Sequence, residues 1–410
     1  MITRTMFNEI EKSVQSKPVT LITGARQVGK STLASLFVKE RGFRYVSLDD
    51  SREREMALRD PDLFLSLHPW PLIIDEVQRA PGLFEAIEAV VNKEKLANEK
   101  NYGMYILTGS QIYKLMRGVS QSMSGRVSIL HMPPLSRSEI LGREEPVFPF
   151  EVKAVQARAN QNGMAPKELF DWIVKGFYPE LFSNPMLTRE RFYADYVETY
   201  IERDVSELIN VKDKLLFRRF MELLASLTGQ ELIYDNIAKL IGVDRKTVVA
   251  WVSVLLAGDI VYLLEPYHET SIAKRIVKRP KIYFSDTGLA AYLARLDNPD
   301  VLQASAFSGR FVETYIVNEL RKSFLNHGLS PDFYYYRDVQ GNEIDLVALH
   351  DGRLHRIECK SGMRYSLSDI KAFRQLDASL YPVGFQGILC TADAAYPLGD
   401  DAFALPLSGI

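Results

Sequence analysis

The sequence predicts an α/β protein in which a parallel sheet with helices on both faces precedes a helical region and a second α/β unit. Three observations carry that expectation. Short apolar and β-branched runs alternate with helical stretches over the first third of the chain, as strands buried on both faces do. The first of these runs leads into Gly24-Ala25-Arg26-Gln27-Val28-Gly29-Lys30-Ser31, which fits G-x-x-x-x-G-K-[ST] at every required position. Near the other end, residues 333–337, 343–349 and 354–360 are strand candidates separated by turns at Gly341-Asn342 and Asp351-Gly352. The Asp-Gly pair marks a hairpin.

Composition narrows the class. A chain of 410 residues has room for two or three domains, and 47% hydrophobic with 25% charged residues excludes a largely disordered chain. The net charge of -2 gives no global nucleic-acid signature, so any such contact must come from local patches. Two cysteines, Cys359 and Cys390, make neither a disulfide framework nor a cysteine-rich zinc site, which suits a reducing compartment. The six histidines lack paired ligand spacing. Glu9, Glu11 and Lys12 interrupt any signal-peptide core, and the longest apolar stretch, residues 248–256, is too short to cross a bilayer. The expectation is a cytoplasmic protein with no membrane partner.

In chain order, residues 19–23 form the first strand and residues 31–39 a helix, so the glycine motif sits where a strand turns into a helix. Glycines let the backbone curl around a phosphate with its N–H groups pointing inward, and the helix N-terminus adds partial positive charge. Lys30 is expected to reach the β- and γ-phosphates and Ser31 to ligate Mg2+, with Thr32 completing the nucleotide-binding set. Residues 43–48 are a second strand and residues 51–67 a charged helical stretch. Residues 72–76 run apolar into Asp75 and Glu76; Asp75 would hold Mg2+ and Glu76 would polarise the attacking water. Residues 105–110 end in Thr108 and Ser110, which either bond the γ-phosphate or its water or cap a helix over residues 111–116. Ser124-Gly125-Arg126 then enters a strand at residues 127–132. Arg126 is a candidate for the γ-phosphate, in cis or across a subunit interface, with a structural salt bridge as the other reading.

The ordered set GARQVGKS, LIIDEVQRAP, YILTGS, SGR and PPLSRSE resembles the bacterial and archaeal AAA-type P-loop ATPases that carry a C-terminal domain of unknown function numbered 4143 (DUF4143). Lys175-Gly176-Phe177-Tyr178-Pro179-Glu180 and residues 196–205, with their Glu202-Arg203-Asp204 segment, extend the likeness over nearly the whole chain. The resemblance implies a P-loop NTPase fold with a five-stranded parallel core, ATP and Mg2+ as ligands, and self-association that brings an arginine to a neighbouring site.

Beyond residue 145 the chain reads as a helical connector over 146–230, including a helix over residues 192–209 in which Glu198 and Glu202 share a face. Residues 214–227, 234–241 and 244–257, with a Gly242-Val243 turn, have helix-turn-helix spacing, and residues 260–264 and 282–284 could form a wing. That predicts a winged-helix-like region over 231–288. Arg245 and Lys246 sit where groove-reading side chains belong, and Lys274, Arg275, Lys278, Arg279 and Lys281 form a basic cluster suited to DNA phosphates, or a solvated surface loop.

In the last unit, residues 289–410, Asp345 lies on one hairpin strand and Glu358 and Lys360 two apart on the next, so the three converge. With Glu313 on a preceding helix and a helix over 366–376 following, the constellation resembles the PD-(D/E)xK fold of restriction endonucleases. Ile344 stands where that pattern often has proline. The resemblance implies Asp345 and Glu358 as Mg2+ ligands, Glu313 as a further metal contact, and Lys360 as the residue that orients water. The expectation is thus an Mg2+-dependent ATPase coupling its nucleotide state to a DNA-engaging, nuclease-like domain; the alternative is a regulatory switch that binds protein or nucleic acid without cutting.

Overall fold

The structure is a computed structural model that describes residues 2–97, 101–110, 123, 125–201, 214–268, 279–377, 379–399 and 401–410. Its first sheet has five strands: β1 (Val19–Thr23), β2 (Arg44–Ser47), β3 (Leu72–Asp75), β4 (Tyr105–Gly109) and β5 (Val127–His131). They pair in parallel in the order β2-β3-β4-β1-β5. Alternate residues serve opposite faces, as a period of two requires. Val19, Leu21, Leu72 and Ile74 pack with Phe84, Ile87 and Val91 of the Leu83–Ala97 helix. Ile22, Ile73 and Ile106 face the other way, onto Leu33 and Phe37 of the Lys30–Arg41 helix. Because every strand points the same way, the loops after Thr23, Asp75 and Gly109 emerge at one edge.

The central unit contains helices Lys214–Ser226, Tyr234–Ile241 and Arg245–Ala257. Trp251 sits 5.4 Å from the Phe217 ring and 5.2 Å from Phe220, which joins the first helix to the third. Gly242 ends the second helix at φ +81°, and the Asp244 carboxylate caps the third by accepting the Thr247 N–H at 2.8 Å. Strands β6 (Gln230–Glu231), β7 (Val261–Leu264) and β8 (Lys281–Phe284) form an antiparallel sheet with β8 in the middle.

In the C-terminal unit, β9 (Phe333–Arg337), β10 (Glu343–His350), β11 (Arg353–Cys359), β12 (Val383–Cys390), β13 (Tyr396–Gly399) and β14 (Ala402–Pro406) form a mixed sheet ordered β13-β14-β12-β11-β10-β9. The Asp351-Gly352 turn joins β10 to β11 with both residues at positive φ, +48° and +69°, as a tight two-residue hairpin demands. The Ser308–Leu325 helix is buried on nearly every side, because it lies between the sheet and the rest of the molecule. It also reaches the first unit: Glu319 accepts the Arg137 backbone N–H at 2.8 Å.

Two sequence expectations change. The segment after β11 is not a regular helix but a kinked 3-10 stretch, Leu367–Leu376, broken at Ile370. The helix expected over 192–209 begins as Arg189–Asp195 and passes into a π-turn at Tyr196–Ile201. Its continuation, with Glu202, Arg203 and Asp204, lies outside the described residues, as do Ser124 and the helix expected over 111–116.

Candidate functional site

At the shared edge, the glycine motif forms a loop whose backbone alternates into the left-handed region: Gly24 lies at φ +144°, Gln27 at +62° and Gly29 at +98°. Gly24 has a second constraint. A Cβ there would meet the Met132 carbonyl oxygen at 2.2 Å, because β5 runs directly beside the loop. Gln27 is exposed, whereas Gly24, Ala25 and Val28 are buried and Arg26 is half-buried, its carbonyl accepting the Tyr196 hydroxyl at 3.5 Å. Lys30 is 5% exposed, and its ammonium donates to the Gly24 and Ala25 carbonyls at 3.0 and 2.7 Å. Burial lowers its pKa to about 8, against the opposing charges of Glu76 and Asp75.

Ser31 Oγ donates to Asp75 Oδ1 at 2.8 Å, and Thr108 also donates to that oxygen. Tyr45 donates to Asp75 Oδ2 at 2.8 Å; burial and then the Asp75 charge raise the Tyr45 pKa, so the phenol keeps its proton. Glu76 follows at φ +56°, and its carboxylate accepts from Gln78 and, at 3.4 Å, from Ser110. Thr32 is exposed on the first turn of the helix. Hydroxyl and carboxylate oxygens are hard donors, so the Ser31–Asp75 pair fits Mg2+. Tyr45 had no motif to announce it, and Gln78 lay within LIIDEVQRAP without a role assigned to it.

Arg126 is not in this group. Its backbone carbonyl bonds the Val19 N–H, at the start of β1, whereas the glycine loop follows Thr23 at the far end of the same strand. Five residues at about 3.3 Å each separate the two edges. The side chain pairs instead with Glu88 at 3.1 Å and donates to Asn92 at 2.8 Å, both on the Leu83–Ala97 helix. The reading of Arg126 as a γ-phosphate contact within one chain is therefore corrected to a structural ion pair.

A buried carboxylate next to this edge was also missed. Asp259, at φ +54° just after the Arg245–Ala257 helix, lies 2.9 Å from His131 Nε2 and 3.9 Å from Arg321 of the Ser308–Leu325 helix. His131 is the register partner of Thr23, the last residue before the loop. One side chain thus touches β5, the central unit and the C-terminal unit.

The second constellation assembles as well. Lys360 Nζ lies 3.3 Å from Asp345 and 2.5 Å from Glu358, and the Cys359 N–H donates to Asp345 at 2.9 Å. Burial would raise the Asp345 pKa, but the Lys281 and Lys360 ammonium groups outweigh it and hold it below the usual carboxylate range. Burial, then the Asp345 charge, drives Glu358 the other way. The group faces an open cleft of about 480 Å3 that also takes in Asn342, Glu343 and Lys371.

Glu313 does not join it as a metal ligand. Its Oε1 accepts from Lys281 Nζ at 2.7 Å and from the Tyr283 hydroxyl at 2.5 Å. Burial raises its pKa to about 7 despite Lys281. Among the described residues, no group of three or more His, Cys, Asp or Glu side chains is arranged to hold a metal ion. Lys281 itself is corrected too: it is 2% exposed, not part of a surface cluster. Lys274, Arg275 and Lys278 lie outside the described residues, while Arg279 is exposed and 4.0 Å from Glu231. Arg245 is exposed at the head of its helix, 3.5 Å from Asp235, with Lys246 exposed beside it.

Comparison with known proteins gives three family matches along the chain. Residues 16–141 match the family model described as an AAA domain, residues 166–300 a domain of unknown function (DUF8612), and residues 308–410 the domain of unknown function DUF4143. Uncharacterized proteins of Mycobacterium tuberculosis (Rv2008c) and Mycobacterium bovis (Mb2031c) are each 25% identical over 401 residues, covering 98% of this chain and 82% of theirs. Among solved structures, the Walker-type ATPase PABY2304 of Pyrococcus abyssi is 14% identical with a TM-score of 0.43, covering 72% of this chain and 96% of its own. A variant of Thermotoga maritima RuvB is 14% identical with a TM-score of 0.31, over 63% and 88%. No helix among the described residues is long and apolar enough to cross a membrane. The two outer units are thus similar to an AAA domain, at residues 16–141, and to DUF4143, at residues 308–410.

Proposed function

We propose that the protein binds and hydrolyses ATP with Mg2+, and that its nucleotide state governs how the C-terminal unit engages DNA. The observation that carries the ATPase reading is the contact between Ser31 and Asp75, 2.8 Å apart at the end of the phosphate loop, with buried Lys30 beside them. Lys30 exchanges its two carbonyl acceptors for β- and γ-phosphate oxygens, while the loop N–H groups cradle the phosphates. Asp75, held by Tyr45 and Thr108, is oriented to receive the cation with Ser31. Mg2+, when bound, would neutralise charge developing on the phosphate oxygens. Glu76 orients water and takes its proton, with Ser110 and Gln78 fixing the carboxylate. AAA-type sites often draw an arginine from a neighbouring subunit, which supports a homo-oligomer as the active form.

Coupling is supported by Asp259, which ties β5 next to the loop to both later units. A DNA partner is supported by the open cleft at Asp345, Glu358 and Lys360 and by the exposed Arg245 and Lys246 of the winged-helix-like region. A second reading, a switch that binds without cutting, is favoured by the lysine–carboxylate pairing of Glu313.

The test is to measure ATP hydrolysis by the full chain with Mg2+, with and without linear, circular or single-stranded DNA, and to run the DNA on a gel. DNA-stimulated hydrolysis is expected. Cut DNA selects the nuclease form, intact DNA the binding form. Hydrolysis that no DNA alters contradicts DNA as the partner.

A further inference from the structure

Lys281 opens β8, the middle strand of the central sheet, but its side chain ends among carboxylates of the C-terminal unit. Nζ lies 2.7 Å from Glu313 Oε1, 2.6 Å from Glu343 Oε1 and 4.0 Å from Asp345 Oδ1. Glu343 and Asp345 are two apart on β10 and share a face, and Glu313 arrives from the Ser308–Leu325 helix, so the cluster closes from two elements.

An ammonium ion this deeply buried loses its hydration, and close acceptors must offset that loss. Here two carboxylates, Glu313 and Glu343, contact the amine and a third, Asp345, stands 4.0 Å away. The strand leaves it little freedom. Lys281 pairs with Glu231 of β6 on one side and Leu264 of β7 on the other, and the preceding Pro280 carbonyl accepts the Leu232 N–H at 2.8 Å. The Tyr335 ring, 5.4 Å from Nζ, lies over the same pocket. Carboxylate oxygens are the donors divalent cations take, but with the Lys281 ammonium between them these three are not arranged to hold one, and the positive charge comes from the polypeptide.

We propose that Lys281 is a resident cation, supplied by the central unit, that fills the Glu313–Glu343–Asp345 cluster and excludes a divalent metal ion from it. The proposal rests on the nuclease-like reading of the C-terminal unit and is independent of the ATPase reading. It makes the contact between β8 and the C-terminal unit the element that decides whether Asp345 is available to a metal.

The experiment is a Mn2+ titration of the full chain without nucleotide, by calorimetry and by thermal unfolding, on the parent and on Lys281→Met. The variant is expected to bind Mn2+ at least about tenfold more tightly than the parent, and Mn2+ should raise its unfolding temperature more than the parent's. Adding Asp345→Asn to the variant should remove both gains, which assigns the site. Should three uncompensated carboxylates keep Lys281→Met from folding, Lys281→Met with Glu313→Gln carries the same test with one charge fewer. Equal Mn2+ binding in parent and variant, abolished by Asp345→Asn in both, would overturn exclusion by Lys281 while leaving a nuclease-like metal site. Binding in neither overturns the proposal and that metal site together.

Discussion

Replacing Glu76 by glutamine should leave ATP binding almost unchanged and lower hydrolysis by about 10²- to 10⁴-fold, the range by which positioned proton acceptors contribute. The amide keeps the shape of the carboxylate but cannot take a proton. Glu76 is held at φ +56° directly after Asp75, and its carboxylate accepts from Gln78 and Ser110. The Ser31–Asp75 contact and the loop itself do not involve it, which is why binding should survive. Fluorescent-ATP titration beside steady-state phosphate release checks this: loss of both affinity and turnover would assign Glu76 to binding, and unchanged turnover would remove it from the chemistry.

Gly176→Ala should cost stability more than any conservative surface change. Gly176 lies at φ +77°, and a Cβ there would stand 2.0 Å from the Tyr193 hydroxyl, 2.7 Å from Asp286 Oδ1 and 2.9 Å from the Gly288 Cα. Asp286 is the centre of this junction. Its carboxylate accepts the Phe177 N–H, the Leu289 N–H and the Tyr193 hydroxyl, each at 2.7 Å. Overpacking adds about 1–3 kcal/mol and the left-handed backbone about another 1–2 kcal/mol. A loss of about 3–4 kcal/mol is large against the 5–15 kcal/mol typical of a folded protein. Chemical denaturation should show the midpoint falling sharply; a midpoint within error of the parent's would contradict the close packing. Pro179, three residues on, lies next to Gly29, where an added Cβ would meet its ring at 3.9 Å, so the damage should also reach nucleotide binding.

The sequence made the local parts of this molecule legible because local physics fixes them. Residues 19–23 and 333–337 coincide with β1 and β9, and the Asp351-Gly352 hairpin forms where two consecutive positive-φ positions were needed. The phosphate loop, Asp75, Glu76, Thr108 and Ser110 meet because parallel strands deliver their carboxyl ends to one edge. Long-range pairing was less legible. Strand β12 extends the last sheet through parallel pairings with β11 and β14, and β13 adds antiparallel to β14; parallel partners apart in the chain leave no hairpin signal. Arg126 looked like a phosphate contact because SGR follows an ATPase-like order, but strand direction carries it to the opposite edge. Lys281 looked like one of a basic run, and only tertiary packing buries it among acids. Tyr45 and Asp259 belong to no motif; their roles come from where β2 and the central unit lie against the loop.

The central claim is tested most directly by measuring Mg2+-dependent ATP hydrolysis by the full chain beside Lys30→Ala. Truncation leaves the Gly24 and Ala25 carbonyls in place but removes the ammonium that meets the phosphates. The parent should hydrolyse ATP only when Mg2+ is present, and Lys30→Ala should neither bind nor hydrolyse it while remaining folded by circular dichroism. Hydrolysis by Lys30→Ala at the parent's rate would contradict the assignment of this loop as the ATP site.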